Sequence, residues 1–140
     1  MTDVDHGAYE LLRRVLFSIE CVLAVSAFAG SWYGIAGAPS VPTSWLDGTP
    51  FDSYLVPSLI LGFVVGNVHS VAALALYLRA RRATTVVFVS AAVLATWIGV
   101  QVALIGYVSW LQPAMLLAAL ACAVLAEAMR RTTPPHQHVR

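Results

Sequence analysis

The sequence predicts an all-α integral membrane protein, a bundle of four transmembrane helices with both termini in the cytoplasm. Three observations lead to this fold class. First, 59% of the 140 residues are hydrophobic and 11% are charged, whereas a soluble domain carries roughly 25% charged residues. Second, four stretches reach the length of about 20 apolar residues that a helix needs to cross the hydrocarbon core. Third, the basic residues lie on only one side of these stretches.

The four stretches define the elements in order. They are expected at about residues 11–35, 54–78, 84–110 and 113–129. With their connections they form a single domain over residues 1–131, followed by a loose polar tail over residues 132–140. Only Leu111 and Gln112 separate spans three and four, which predicts a tight antiparallel hairpin.

The arginines orient the bundle. All eight basic residues are arginine, and they lie before span one, between spans two and three, and after span four. The opposite connections, residues 36–53 and 111–112, contain none. By the positive-inside rule both termini are cytoplasmic. The predicted location is therefore the bacterial cytoplasmic (inner) membrane, with the lipid bilayer as the immediate partner.

The first span also resembles a secretory signal. Arg13 and Arg14 precede an apolar run that ends in Ala27-Phe28-Ala29, which matches an A-x-A cleavage pattern. Glu20 interrupts the apolar run, and this favours a retained transmembrane helix. The net charge of +1 leaves no broad basic surface, so no nucleic acid partner is expected.

The outer loop, residues 36–53, is predicted to be an ordered cap over the bundle. It is rich in proline, which restricts φ, and its Trp45 is placed for an interfacial aromatic belt. Asp47 and Gly48 form a turn signal. Asp47 and Asp52 are expected to order the loop, with a cation-binding role as the alternative.

Small residues predict where helices one and two meet. Span two carries them at strict four-residue spacing, and span one carries two in the same relation; they are Ser58, Gly62, Gly66 and Ser70, with Gly30 and Gly34. Because small side chains let membrane helices approach closely, the two helices are expected to pair through their outer halves. The same ridge is suited to a homo-oligomer.

Five residues form the candidate buried polar site: Glu20, Asn67, His69, Trp97 and Gln101. A polar group in hydrocarbon is costly without a partner. Counted from the arginines at 1.5 Å per residue, Glu20 lies about 9 Å and His69 about 15 Å deep, within reach of each other. Gln101 lies about 28 Å deep, with Trp97 one turn below. Asn67 points to another side of its helix than His69, which predicts neighbours on both flanks.

Two interpretations of Glu20 and His69 stay open at this point. The pair is either a polar clasp that holds helices one and two together, or a protonatable site for an ion, a proton or a ligand. The tail histidines, His136 and His138, are too few to predict a metal site.

Two segments carry a resemblance to known proteins. WLDGTPFDSYLVP (45–57) and WIGVQVALIGYVSWLQP (97–113) resemble segments of small four-span membrane proteins common in actinobacteria, a largely uncharacterised group. In size and layout the chain is also similar to the DoxX-like group. The resemblance covers most of the chain between Trp45 and Pro113. It implies a four-helix inner-membrane protein and assigns no activity.

Three classes of function fit these observations. The favoured class is a non-enzymatic membrane protein, either an accessory subunit of a membrane complex or a bundle that binds a hydrophobic ligand. The sequence lacks a nucleophile–base constellation, a phosphate loop and a metal cluster. A second class is a small proton-coupled transporter that uses Glu20 and His69. The small multidrug resistance proteins also have four spans and a glutamate in the first, although one-sided arginines disfavour their antiparallel assembly.

The third class is a redox or haem-binding membrane protein. A single membrane histidine cannot supply both axial ligands of a haem unless His69 pairs across a dimer. Cys21 and Cys122 lie about a hundred residues apart and form no CxxC motif. The sequence identifies no cofactor and no specific partner protein.

Overall fold

A computed structural model describes residues 3–132 as an all-helical bundle, which confirms the predicted all-α class. The long helices are α1 (Asp3–Ile35), α2 (Leu55–Tyr77), α3 (Ala83–Ile105) and α4 (Leu111–Thr132). All four are long and apolar enough to cross a membrane. The predicted tail beyond Thr132, with His136 and His138, lies outside the described residues.

The four helices run up-down-up-down, and each packs against two neighbours. α1 contacts α2 and α4, and α3 contacts the same two helices from the other side. The connection between α2 and α3 carries three arginines and defines the arginine end of the bundle. At the opposite end, here called the loop end, lie the α1–α2 and α3–α4 connections. The best buried apolar side chains include Leu16, Leu76 and Val87, at the arginine end.

Helices α1 and α2 approach closely through small residues near the loop end. A Cβ added to Gly62 would lie 2.4 Å from Ser31 Oγ, and one added to Gly34 would overlap the Ser58 side chain. Gly66 faces the ring of Phe28, and Gly30 faces Leu61. The absence of side chains at these glycines is what lets the two backbones come together.

Helix α2 contains a π-helical segment that the sequence does not predict. Residues Leu61–Gly66 form i→i+5 backbone hydrogen bonds between the α-helical parts Leu55–Ile60 and Asn67–Tyr77. A π turn disturbs the regular pairing of backbone carbonyls, and two side chains compensate for this. Asn67 Nδ2 donates to the Phe63 carbonyl at 2.9 Å, and Ser70 Oγ donates to the Gly66 carbonyl at 2.9 Å.

Helix α1 begins at Asp3, eight residues before the predicted start at residue 11. The added turns include Glu10, which forms ion pairs at the arginine end with Arg13 and Arg79. Arg13 forms a 2.8 Å ion pair with Glu10, one turn earlier, and donates to the Leu76 carbonyl of α2 at 3.0 Å. Hydropathy marked only the apolar part of the helix, whereas these contacts extend it beyond that part.

The two helices form the expected hairpin, but the prediction that Leu111 and Gln112 alone connect α3 to α4 is wrong. α3 ends at Ile105 rather than near residue 110, because Gly106 adopts φ 75° and ψ −168°, a conformation suited to glycine alone. Leu111 and Gln112 belong to α4 instead of linking the helices. The Gln112 side chain is buried and accepts hydrogen bonds from the Val108 and Ser109 N–H groups at 3.0 and 3.3 Å. It also donates to the Gly106 carbonyl at 3.1 Å.

The α1–α2 connection is folded over the loop end. It contains a 3₁₀ turn, Thr43–Leu46, whose Leu46 is buried. Tyr54 donates its hydroxyl hydrogen to the Pro42 carbonyl at 2.6 Å, and Tyr33 donates to the Pro39 carbonyl. Each of these bonds joins the connection to the end of a long helix.

Candidate functional site

The centre of the bundle holds a polar network that draws on three helices. Glu20 of α1, His69 of α2 and Ser90 of α3 are all fully buried. His69 Nδ1 lies 2.5 Å from Glu20 Oε2, and Ser90 Oγ is hydrogen bonded to Glu20 Oε1 at 2.9 Å. Ser90 Oγ also lies 2.8 Å from the Val87 carbonyl. Both carboxyl oxygens of Glu20 therefore have a partner.

Helix α4 also contributes a residue to this polar network. Its buried Cys122 lies beside the carboxyl group of Glu20. One residue from each of the other three helices thus contacts the carboxyl group that α1 contributes. Such convergence offsets the large cost of placing an ionisable side chain in an apolar interior.

Ser90 and Cys122 were not among the residues that sequence reasoning selected. The signal that identifies them is depth. Ser90 is eight positions after Arg82 and Cys122 is eight before Arg130, so both lie about 12 Å from the arginine end at 1.5 Å per residue. That depth falls between the values for Glu20 and His69.

A cavity of about 440 Å³ extends from the network toward the loop end. This volume lies within the range of about 300–1,000 Å³ that is typical of small-molecule pockets. All four helices and both loop-end connections contribute to its walls. Its α2 side is formed by Ser58, Leu61, Val65 and His69, which spans about 16 Å at the α-helical rise. The cavity is therefore elongated along the bundle axis.

His69 lines this cavity at its deep end, and one of its ring nitrogens is unsatisfied. Its Nδ1 is bound to Glu20, while Nε2 is buried and has no hydrogen-bond partner among the described residues. Close to His69 the walls are aliphatic, with Leu23, Val65 and Leu94 among the lining residues. A buried polar atom without a partner is uncommon in folded proteins and requires an explanation.

Trp97 and Gln101 of α3 line the same cavity, nearer the loop end. Both are half-buried. Trp45 also lines the cavity, from the α1–α2 connection. The structure thus brings His69, Trp97 and Gln101 to one space, with Glu20 directly behind His69. Asp47 and Asp52 are exposed and do not line it.

Asn67 is not part of this site. The sequence predicts a contact between Asn67 and a helix on the second flank of α2, but the Asn67 side chain is exposed. It donates to the Phe63 carbonyl of its own helix at 2.9 Å. The adjoining π-helical segment explains the difference, because a local backbone acceptor takes the place of an interhelical partner.

The chemistry available at the site is that of one imidazole backed by one carboxyl group. Among the described residues, no group of three or more His, Cys, Asp or Glu side chains is arranged to hold a metal ion. Nε2 of His69 can accept or donate one hydrogen bond, according to the position of the imidazole hydrogen. The remaining walls offer mainly apolar contact.

Comparison of this chain with protein families, with curated proteins and with solved structures finds no match.

Proposed function

We propose that this chain is a multi-pass protein of the bacterial cytoplasmic membrane, with both termini inside, and that its bundle binds a hydrophobic ligand. Membrane insertion is supported by the outward faces of the helices. Val25, Phe63 and Leu117 lie on different helices and are 66–72% exposed. In water such extensive apolar surface would favour aggregation, whereas in a bilayer it contacts lipid tails.

The orientation is supported by the two ends of the bundle. Arginines are confined to the arginine end and the tail beyond it, and the positive-inside rule places these in the cytoplasm. At the loop end, Trp32 and Trp110 are 75% and 72% exposed. Exposed tryptophan is typical of the membrane–water interface.

Ligand binding is supported by one observation above all: the elongated cavity ends at a buried imidazole nitrogen that has no partner. Apolar walls with few polar groups are the usual composition of a small-molecule site. A site built only for helix packing would close this space with side chains, because protein interiors pack to a density of about 0.74–0.76. A ligand that fills the cavity and bonds Nε2 removes both irregularities.

The proposal is tested by native mass spectrometry of the protein released from a mild detergent. We expect a bound small molecule of defined mass on the wild-type protein. Met115→Trp places a large ring in the cavity and should remove the adduct. Leu116→Trp is the matched control, because Leu116 is the next residue of α4, is 40% exposed and does not line the cavity.

Two results would contradict ligand binding. One is a wild-type spectrum that contains only detergent and exchangeable phospholipid. The other is an adduct lost equally from both variants, which would place the molecule on the outer surface. A stoichiometric protein in the spectrum would instead support the role of accessory subunit.

A second candidate function, proton-coupled transport, is favoured by the buried hydrogen bond between two ionisable side chains, Glu20 and His69. Solute uptake into proteoliposomes should then respond to a pH gradient in the wild-type protein. The response should vanish in Glu20→Gln, because a glutamine side chain does not ionise. Uptake that persists unchanged in this variant would exclude Glu20 from the transport mechanism.

A further inference from the structure

The polar network determines whether the Nε2 atom of His69 is a hydrogen-bond donor or an acceptor. The groups that face the Glu20 carboxyl are the Ser90 hydroxyl, the Cys122 thiol and His69 Nδ1. The thiol has a hydrogen to donate, and the hydroxyl can either donate to the carboxyl group or accept from it. With the carboxyl hydrogen on Oε1, Oε2 is an acceptor, and the 2.5 Å contact to Nδ1 is an Nδ1–H donated to Oε2.

The number of hydrogens available in the network agrees with an Nδ1–H on His69. Ser90 has one hydroxyl hydrogen and two acceptors within reach, Glu20 Oε1 and the Val87 carbonyl. When that hydrogen points to Val87, a hydrogen on Oε1 that is donated to Ser90 Oγ completes the chain. The network is then neutral, each donor is used once, and His69 still donates from Nδ1. Neutrality matters because an ion without full compensation is very costly in an apolar interior.

A neutral imidazole that donates from Nδ1 has a lone pair on Nε2. That lone pair belongs to the ring nitrogen that has no partner, on a residue that lines the cavity. The alternative, an Nε2–H or an imidazolium, would direct an unmatched hydrogen at aliphatic side chains. The cavity therefore offers an acceptor at its deep end.

We propose that the ligand is an apolar alcohol or phenol, elongated and terminated by a hydroxyl group that donates its hydrogen to His69 Nε2. This inference rests on the proposed ligand-binding function and specifies the chemical class. The apolar body of the ligand lies against residues such as Leu61, Val65 and Ile98, which line the cavity. Ethers and ketones of the same shape fill the space equally well but have no hydrogen to donate to Nε2.

The test compares 2-naphthol with its methyl ether, 2-methoxynaphthalene, by isothermal titration calorimetry of the full-length protein in detergent micelles. Empty micelles correct each isotherm for partitioning. We expect 2-naphthol to bind about 5- to 10-fold more tightly, which corresponds to one neutral hydrogen bond of about 1 kcal/mol. The preference should fall to about onefold in His69→Phe, while 2-methoxynaphthalene still binds.

A matched control outside the cavity should keep the preference. In Leu116→Trp the changed residue does not line the cavity, so His69 is undisturbed and the wild-type ratio is expected. If His69→Phe fails to fold, the ratio of the two ligands on the wild-type protein still decides the question. The tautomer has a direct readout in the ¹⁵N spectrum of histidine-labelled protein, where His69 should carry its hydrogen on Nδ1.

The possible outcomes separate the two proposals. Equal binding of both molecules would overturn the hydroxyl assignment and leave ligand binding intact. Tighter binding of the ether, or a His69 that carries hydrogen on Nε2, would also overturn the assignment. If neither molecule binds and the native protein carries no adduct, ligand binding itself fails and the assignment with it.

Discussion

Replacing Glu20 and His69 singly and together tests the contact on which the centre of the bundle depends. The substitutions are Glu20→Met and His69→Phe, which keep apolar side chains of similar size at both positions. Each single change leaves one polar partner buried and unpaired. Glu20→Met deprives Nδ1 of its acceptor, and His69→Phe deprives Oε2 of its donor. Ser90 is not left unpaired, because its hydroxyl can donate to the Val87 carbonyl at 2.8 Å.

The magnitudes follow from these atom counts. An unsatisfied buried donor or acceptor costs about 1–3 kcal/mol, so each single variant should lose about 2 kcal/mol in the free energy of unfolding. The double variant leaves neither atom behind. Its loss should be smaller than the sum by about 1.5 kcal/mol, near the upper end of couplings measured between membrane helices. Full burial of both groups is the reason to expect the upper end.

The assay is equilibrium unfolding in mixed micelles, with the sodium dodecyl sulfate fraction as denaturant and tryptophan fluorescence as the signal. All four proteins must show one cooperative transition with a common slope, because the cycle is defined only for two-state unfolding. Losses that add within about 0.5 kcal/mol would show that the two residues are not coupled, and would refute the clasp.

Three further predictions concern packing, the loop end and orientation. Gly62→Ala should cost about 1–3 kcal/mol in the free energy of unfolding, because its Cβ would lie 2.4 Å from a side chain of α1. The control Gly99→Ala meets nothing within 4 Å and should be neutral or stabilising; equal losses would contradict the close approach. Gln112→Ala removes the acceptor of two backbone N–H groups and should lower the melting temperature in micelles; an unchanged value would make those bonds dispensable. In intact cells, an impermeant maleimide should label Ser44→Cys and not Ala80→Cys, and the reverse pattern would invert the topology.

Hydropathy and charge are sufficient to predict the four helices, because these signals are averages over about 20 residues. Hydropathy and charge do not predict where a helix ends, because the end is determined by single residues. The apolar run of α3 continues past residue 105, and only the backbone conformation of Gly106 ends the helix there. Residues 3–10 of α1 lie outside the apolar run, and Glu10 of this segment forms ion pairs with Arg13 and Arg79.

The part of the candidate site that the sequence predicts is the contact between residues that lie at similar depth in the bundle. Counting from the arginines brings Glu20 and His69 within reach of each other, and the structure has them hydrogen bonded. Counting residues from the arginines does not predict the π-helical segment, because no residue type in Leu61–Gly66 is specific to a π-helix. The prediction that Asn67 contacts a neighbouring helix failed because of this segment. Its Phe63 carbonyl accepts the hydrogen bond of the Asn67 side chain within α2.

The clasp and the ligand site, which the sequence leaves as alternatives, use different atoms of one imidazole. Nδ1 joins α2 to α1 through Glu20, and Nε2 is the ring nitrogen left without a partner on a residue that lines the cavity. The two roles also support each other, because the bond at Nδ1 holds the ring in place and sets the hydrogen-bonding character of Nε2. Stability measurements report on the first atom and ligand preference on the second. A loss of stability in His69→Phe is therefore compatible with either role, and only the hydroxyl preference distinguishes a structural histidine from one that also binds a ligand.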